Sequence, residues 1–241
     1  MKKYLYQDLY ELEEKHWWHI SKRKLVIEFI NKFKPSINPK ILDLGCGSGK
    51  NVEVLDKIGK AWGIDKSREA IMFCKKRGLK RIKLGEGENI PFKSQNFDVV
   101  TLLDVLEHVQ EKPTLEEISR VLNKSGILII NVPAFNWLWS QWDEVLQHKR
   151  RYTRKMLEKA LSENGFKIVK ISYWLPYLII PVILIRFVKS KIFKTNYPSD
   201  FKLSSPIINW FFQKISYIER QIVARYYIPF GTSLICVAVK K

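Results

Sequence analysis

Cysteine is scarce here. Cys46, Cys74 and Cys236 are odd in number, widely spaced and in no C-x-x-C pair, which argues against a disulfide framework or a cysteine zinc site and fits a reducing compartment. Long apolar runs are also missing. The most apolar piece, "YWLPYLIIPVILI" from Tyr173 to Ile185, has 13 residues and two prolines, short of the roughly 18 to 20 that a spanning helix needs. The amino terminus, "MKKYLYQDLYELEEK", offers lysines and then acids but no apolar core of the signal-peptide kind, so the expected location is cytoplasmic. Internal repeats and low-complexity tracts are absent. Acids are in short supply: 24 Asp and Glu face 42 Lys and Arg, for a formal net charge of +18. Such a surface attracts nucleic acid, anionic lipid headgroups or acidic substrates without choosing among them.

What is present is a core-forming chain of one large domain, with 46% hydrophobic residues over 241 positions. Residues 4 to 34 read as helical, with Tyr4, Leu5, Leu9 and Leu12, then Leu25, Val26, Phe29, Ile30 and Phe33 at helical spacing around "HWWH". Pro35 and Pro39 stop the helix, and "KILDLG" follows as a short apolar run ending at glycine, the form of a buried parallel strand. Helix and strand patterns then alternate through "AWGID", "RIKLGE", "FDVVTLLD", "GILIINVP" and "FKIVKISYW". That rhythm specifies a doubly wound, mostly parallel α/β sheet. After Trp174 it breaks. Residues 175–230 mix Leu, Ile, Phe, Tyr and Trp with Arg186, Lys189, Lys191, Lys194, Lys202, Lys214, Arg220 and Arg225, before a last strand "TSLICVAVKK". Four parts are expected: a helical cap at 1–39, a core at 40–174, an apolar and basic helical insertion at 175–230, and a final strand of the core at 231–241.

The stretch "KILDLGCGSGK" carries Gly45, Gly47 and Gly49 between strand and helix, where free backbone N–H groups meet a ligand. The dinucleotide fingerprint G-x-G-x-x-G would place its last glycine at Lys50, so the register is wrong for a pyrophosphate. Asp43, two residues before the first glycine, would repel phosphate and suits a cation, such as a sulfonium that also carries an amino group.

On these residues the chain resembles the class I S-adenosylmethionine-dependent methyltransferases, in particular those of the ubiquinone and menaquinone biosynthesis group. The matching elements are "ILDLGCGSG", "AWGIDKS", "GEGENIPF", "FDVVTLLDVLEHV" and "EISRVLNKSGILIINVP", in order over about residues 40 to 133. The resemblance implies a Rossmann-like methyltransferase fold of seven strands and S-adenosyl-L-methionine as cofactor. It also implies roles: Gly45 and Gly47 against the methionine half, Asp43 near the ammonium, Asp65 on the ribose with Lys66 beside it, Glu86 near the adenine, and Leu103 and Asp104 closing the far side. Arg23 is expected to pair with the cofactor carboxylate from a helix folded over the pocket.

Methyl transfer is a direct displacement, so a protein mainly aligns the acceptor and excludes water. Candidate catalytic groups come from two loops at the carboxyl ends of strands. In "DVLEHV", Asp104, Glu107 and His108 share one face if the piece is helical, and they resemble the E-x-x-E-H metal-binding face of the ubiquinone O-methyltransferases with Asp for the first Glu. The same EHV occurs in relatives not thought to use metal, so His108 is read as a base candidate and no metal is assigned. The loop after the fifth strand, "PAFNWLWSQWDEVLQHKRRYT", supplies His148, Asp143 and Tyr152, with Arg151 able to pair with Asp143.

If the last strand runs antiparallel, residues 175–230 leave and return at the cofactor edge and should roof the site. A roof both apolar and basic resembles an interfacial anchor that takes an amphiphilic acceptor, a lipid, quinone-like molecule or lipid-linked sugar, from the anionic inner membrane face. An apolar cap or dimer surface remains the plainer account. An RNA methyltransferase and a non-catalytic cofactor-binding scaffold are the alternative functions; "NVPA" stands where an amino-methylating nucleic-acid enzyme would show N/D-P-P-Y/F. The sequence does not indicate an oligomeric state.

Overall fold

The computed structural model describes residues 5–184 and 205–241. Tyr4 and the basic residues Arg186, Lys189, Lys191, Lys194 and Lys202 lie outside the described residues. Helices α1 (Leu5–Leu12) and α2 (Trp17–Phe33) precede β1 (Lys40–Leu44), α3 (Lys50–Leu55), β2 (Lys60–Asp65), α4 (Arg68–Lys76), β3 (Ile82–Leu84), β4 (Phe97–Leu103), α5 (Glu111–Val121) and β5 (Leu122–Pro133). Then come α6 (Gln141–Leu146), α7 (Arg154–Glu163), β6 (Phe166–Trp174), α8 (Pro206–Arg225) and β7 (Ser233–Lys240).

The seven strands form one sheet in the order β3-β2-β1-β4-β5-β7-β6. Pairing is parallel from β3 to β5, and β7 runs antiparallel to both neighbours, β5 and β6. The expected seven-stranded, mostly parallel sheet with an antiparallel last strand is therefore present. Successive side chains of a strand point to opposite faces, and both faces are covered. Leu42, Val100, Leu102, Leu128 and Ile130 pack with Leu115 and Ile118 of α5 and Leu157 and Leu161 of α7. Ile41, Val99, Ile127 and Ile129 pack with Leu25, Val26, Phe29 and Ile30 of α2, with α3, and with Val223 of α8.

Local chemistry fixes the helix starts. The His16 side chain accepts from the Trp18 amide at 3.3 Å, so "HWWH" opens α2 and does not separate two helices in its middle. Ser67 caps α4 and Thr153 caps α7, each satisfying an amide that the helix leaves free. The segment 136–146, expected as a loop, contains α6. Ser140 and Asp143 form a reciprocal capping box there, a signal readable as S-x-x-D in "WSQWDEVL".

Among the described residues the expected roof is seen in part. Leu178 and Val182 line the cavity described below, but α8 lies on α2: Arg220 Nε meets Glu28 at 3.1 Å and the ring of Phe212 stacks on Trp17 at 4.8 Å. The cause is amphipathicity. Ser216, Glu219, Arg220 and Val223 make one buried stripe on α8, and α2 supplies the charge and the aromatic face which that stripe needs.

Candidate active site

A cavity of about 800 Å³ opens at the carboxyl ends of β1, β2 and β4, where open α/β sheets hold their ligands. Two glycine positions shape its floor. Gly45 sits at φ +74°, and a Cβ there would come within 2.4 Å of Val105 Cγ2; Gly47, at φ +54°, would press a Cβ to 3.3 Å from Leu9 of α1. Only glycine adopts such a turn without strain while another chain segment lies so close.

Beside this floor one acid is held by backbone donors. Asp65, at the end of β2, accepts from the Gly47 amide at 2.9 Å through Oδ2 and from the Ser67 amide at 2.9 Å through Oδ1. Burial raises its pKa, and those two amides pull it back. Lys66, Glu86, Leu103 and Asp104 also line the cavity, as do Gly45 and Gly47. Asp43 lies beneath the turn and is not among the lining residues. Its Oδ1 accepts from Thr101 Oγ1 at 2.6 Å while Oδ2 has no partner. Burial pushes this carboxyl up to about 7, the Thr101 hydroxyl opposing.

Arg23 is a correction. Its guanidinium donates to the Glu13 carbonyl and is not part of the cavity lining, to which Lys22 contributes instead. Neighbours on a helix point about 100° apart, so one position decides which cation meets the ligand. Lys22 forms an ion pair with Asp104 Oδ2.

Asp104 departs from the helical face expected of "DVLEHV". It takes φ +57°, its amide donates to the Asn131 carbonyl at 2.8 Å, and its Oδ1 accepts from Asn131 Nδ2 at 2.6 Å. Asn131 is fixed in turn by the Trp174 indole N–H at 2.8 Å. Asp104 is thereby turned toward Lys22.

Beyond Asp104 the cavity widens between α2, α6 and the segment after β6. Trp17, Trp18, Leu138, Trp142, Leu178 and Val182 line it. Here His148 is the best-ordered titratable group. Its Nδ1 lies 2.8 Å from Asp143 Oδ1, and Asp143 is gripped by Arg151 through Nε at 2.8 Å and Nη2 at 3.0 Å. Burial alone would raise the Asp143 carboxyl; the His148 and Arg151 hydrogen bonds and the Arg151 charge outweigh it and hold the group well below the usual carboxylate range. An ionised Asp143 keeps the proton of a neutral imidazole on Nδ1, which leaves Nε2 as the lone-pair nitrogen. Asp143 itself does not line the cavity, so it positions His148 and is no catalytic group.

Tyr152 is likewise corrected: it is fully buried in the core, outside the cavity lining, and its hydroxyl donates to Glu111 Oε2 at 2.8 Å. Burial, with the Glu111 hydrogen bond, drives the phenol pKa up. His108 does reach the cavity. Its ring stands edge-on to that of His148 at 4.8 Å, and burial pushes its pKa down to about 4.

Glu107 was underrated by the motif alone. It lines the cavity yet is fully buried, and neither carboxylate oxygen has a hydrogen-bond partner. Burial, then the Asp104 charge, raises its pKa well above the usual carboxylate range. Among the described residues, Glu107, His108 and His148 could hold a metal ion.

The donor set suits S-adenosylmethionine, a cation with ammonium, carboxylate and ribose groups. Acids stand at the ends of β1, β2 and β4, one of them with an orphaned buried oxygen, and lysines stand at 22 and 66. A phosphate would meet carboxylates at the ends of β2 and β4.

Comparison with known proteins agrees. Residues 42–130 match the family model described as "Methyltransferase domain". The chain is 33% identical over 138 residues to the uncharacterized protein MJ1123 of Methanocaldococcus jannaschii, covering 54% of this chain and 65% of that one. It is 31% identical over 185 residues to MJ0638 of the same organism, covering 73% of this chain and 76% of that one. The chain thus spans just under two thirds of MJ1123 and three quarters of MJ0638. The methyltransferase solved with the Trm112 activator of Haloferax volcanii shares the fold, at TM-score 0.62 and 18% identity over 97% of this chain and 93% of that one. Residues 42–130 belong to the methyltransferase domain family, and the sheet has the fold of solved S-adenosylmethionine-dependent methyltransferases.

Proposed function

We propose that this chain transfers a methyl group from S-adenosylmethionine to an amphiphilic acceptor, a lipid, quinone-like molecule or lipid-linked sugar, drawn from an anionic membrane surface. The observation that carries this reading is the make-up of the cavity mouth. Leu178 and Val182 line it, and the same short segment exposes Ile180 (70%), Ile183 and Leu184. This segment rests on α8 through Tyr177, whose hydroxyl meets Ser216 at 2.9 Å and whose ring lies 6.0 Å from Phe212. On α8, Ile207 (79%), Trp210 (60%) and Phe211 face solvent. Exposed apolar surface continuous with a pocket, on a chain of net charge +18, suits insertion into an anionic headgroup layer. Among the described residues no helix is long and apolar enough to cross a membrane.

The cofactor, when bound, supplies an electrophilic methyl group. Asp65 then accepts from the ribose hydroxyls, Glu86 faces the adenine, the Gly45–Gly47 turn lies along the methionine part, and Lys22 or Lys66 meets its carboxylate. His148 Nε2 and His108 face the acceptor, while Trp17, Trp18 and Trp142 exclude water and stack on its apolar part. The membrane is the preferred locale, at the cytoplasmic face.

Flotation tests this. The protein should rise with phosphatidylglycerol-containing vesicles after RNase treatment and stay down with neutral phosphatidylcholine. Binding to RNA with no affinity for anionic vesicles would replace the lipid reading with the RNA one. Tight S-adenosylhomocysteine binding without methylation of any lipid, RNA or soluble fraction would favour the scaffold.

A further inference from the structure

We infer that Glu107, His108 and His148 bind a primary amine, so that the methyl acceptor is a nitrogen at the polar end of the amphiphile. The inference rests on the lipid methyltransferase reading and narrows its acceptor to one chemical class.

Three acceptor groups converge in the wide half of the cavity. A ring nitrogen or carboxyl oxygen of each residue lies within 4.8 Å of those of the other two, and His148 Nε2 is 4.0 Å from Glu107 Oε1. Each imidazole has its other nitrogen engaged. His148 Nδ1 is 2.8 Å from Asp143 Oδ1, and His108 Nδ1 is 3.3 Å from the Gln147 carbonyl. An oxygen acceptor there keeps the proton of a neutral ring on Nδ1 and leaves a lone pair on Nε2. Glu107 adds a carboxyl group that lines the cavity, is fully buried and has no hydrogen-bond partner at either oxygen. The neighbouring cations serve elsewhere: Arg151 is bidentate on Asp143, Lys22 is paired with Asp104, and Lys149 is exposed. Buried acceptors without donors cost free energy. The donors they lack are therefore assigned to the ligand.

Donor count selects the ligand. A hydroxyl brings one donor, a neutral amine two and an ammonium three, whereas a carboxylate brings none. Only the ammonium matches three acceptor groups, and its charge suits the Glu107 carboxyl and the Asp143 carboxylate that backs His148. The reaction follows the same count. The ammonium gives one proton to His148 Nε2, and the resulting imidazolium is stabilised by Asp143, a positioning residue; two N–H bonds remain on Glu107 and His108. The freed lone pair forms the new nitrogen–methyl bond as the sulfur–methyl bond breaks, and the electron pair of that bond stays on sulfur, giving S-adenosylhomocysteine. The methylated ammonium then leaves, and His148 returns its proton to water. Amphiphiles carry such a nitrogen on an aminophospholipid headgroup or on an amino sugar.

The test uses the full chain, saturated with S-adenosylhomocysteine and titrated calorimetrically with octylamine or with octanol. Octylamine should bind saturably and at least about tenfold more tightly than octanol. Glu107→Gln and His148→Phe should each bring the two affinities to within about threefold. S-adenosylhomocysteine titrations of each variant report the fold and the cofactor half separately, and if a variant loses that binding, His108→Phe decides by the same criterion. Equal affinities in the parent, or a preference for octylamine untouched by the substitutions, overturns the amine site. So does a site that takes zinc chloride and ignores octylamine. A second arm follows labelled methyl groups from the cofactor into lipid extract, with the products hydrolysed in acid and passed over a cation exchanger. Label should stay on the resin as a methylated amino alcohol or a methylated amino sugar, two sources that their masses tell apart. Neutral or volatile label overturns the amine inference and leaves the lipid methyltransferase standing. If no label enters lipid, the lipid reading falls and the octylamine titration alone decides this site.

Discussion

At the end of β2 an acid faces two backbone amides of neighbouring strand-turn-helix units, whereas beyond Asp104 an acid faces side chains of its own loop. Asp65 is fixed by Gly47 and Ser67; Asp143 is fixed by Arg151 and supports a histidine. The first kind of order uses main-chain donors and comes with the turns of the fold. The second depends on buried charge pairs, which are costly to break and leave room for a loop to specify its own acceptor. One fold can therefore keep its cofactor while its acceptor changes.

Asp65→Ala separates the halves most sharply. With two charge-assisted hydrogen bonds at about 1.5–3 kcal/mol each removed, S-adenosylhomocysteine affinity should fall at least about 100-fold by calorimetry, with the far-ultraviolet circular dichroism unchanged. Undiminished affinity would mean that the cofactor half does not hinge on that acid.

Arg151→Met attacks the other half. It strands the buried Asp143 charge, and breaking such a pair costs about 3–5 kcal/mol, read as a lower urea midpoint. A midpoint within error of the parent would show that Asp143 is satisfied without Arg151. A smaller effect is expected at the mouth: Trp210→Ala with Phe211→Ala should lower partition into anionic vesicles about 10- to 30-fold, on the order of 0.7–1 kcal/mol for each half-exposed ring. S-adenosylhomocysteine affinity should not change in that double variant.

The gentlest probe is pH. The folded Asp43 carboxyl titrates at about 7, against about 3.9 when unfolded. Between these values the native state binds more protons, so stability is greatest below pH 4 for this group and declines as pH rises toward 7. The slope is at most about 1.4 kcal/mol per pH unit. Asp43→Asn should flatten that portion of the urea-midpoint profile; an unchanged profile would place the titration elsewhere.

The same contrast explains what could be read from the sequence. The sheet and the glycine turn were legible in short apolar runs alternating with helical patterns and in a motif a few residues long, and the antiparallel β7 and Asp65 through the family resemblance. Arg23 and Lys22 differ by one helical step, and no composition rule says which one faces inward. Tyr152 and Asp143 sat in a polar, aromatic loop that looked like a pocket wall; the Arg151–Asp143 pair was legible there, but the Tyr152–Glu111 contact that buries the phenol was not. Asp104 was placed on a helical face that its positive φ and its bonds to Asn131 prevent. The placement of α8 on α2 depends on Arg220 meeting Glu28, 192 positions away in the chain. Pairs that distant leave no local pattern.

One labelling experiment addresses the claim that the wide, apolar half of the cavity serves an amphiphile. The protein would be given S-adenosylmethionine labelled at its methyl group, together with total lipid extract, total RNA and soluble metabolites in separate reactions. Label should enter the organic-extractable lipid fraction. Label found only in RNA or in water-soluble products would contradict the account.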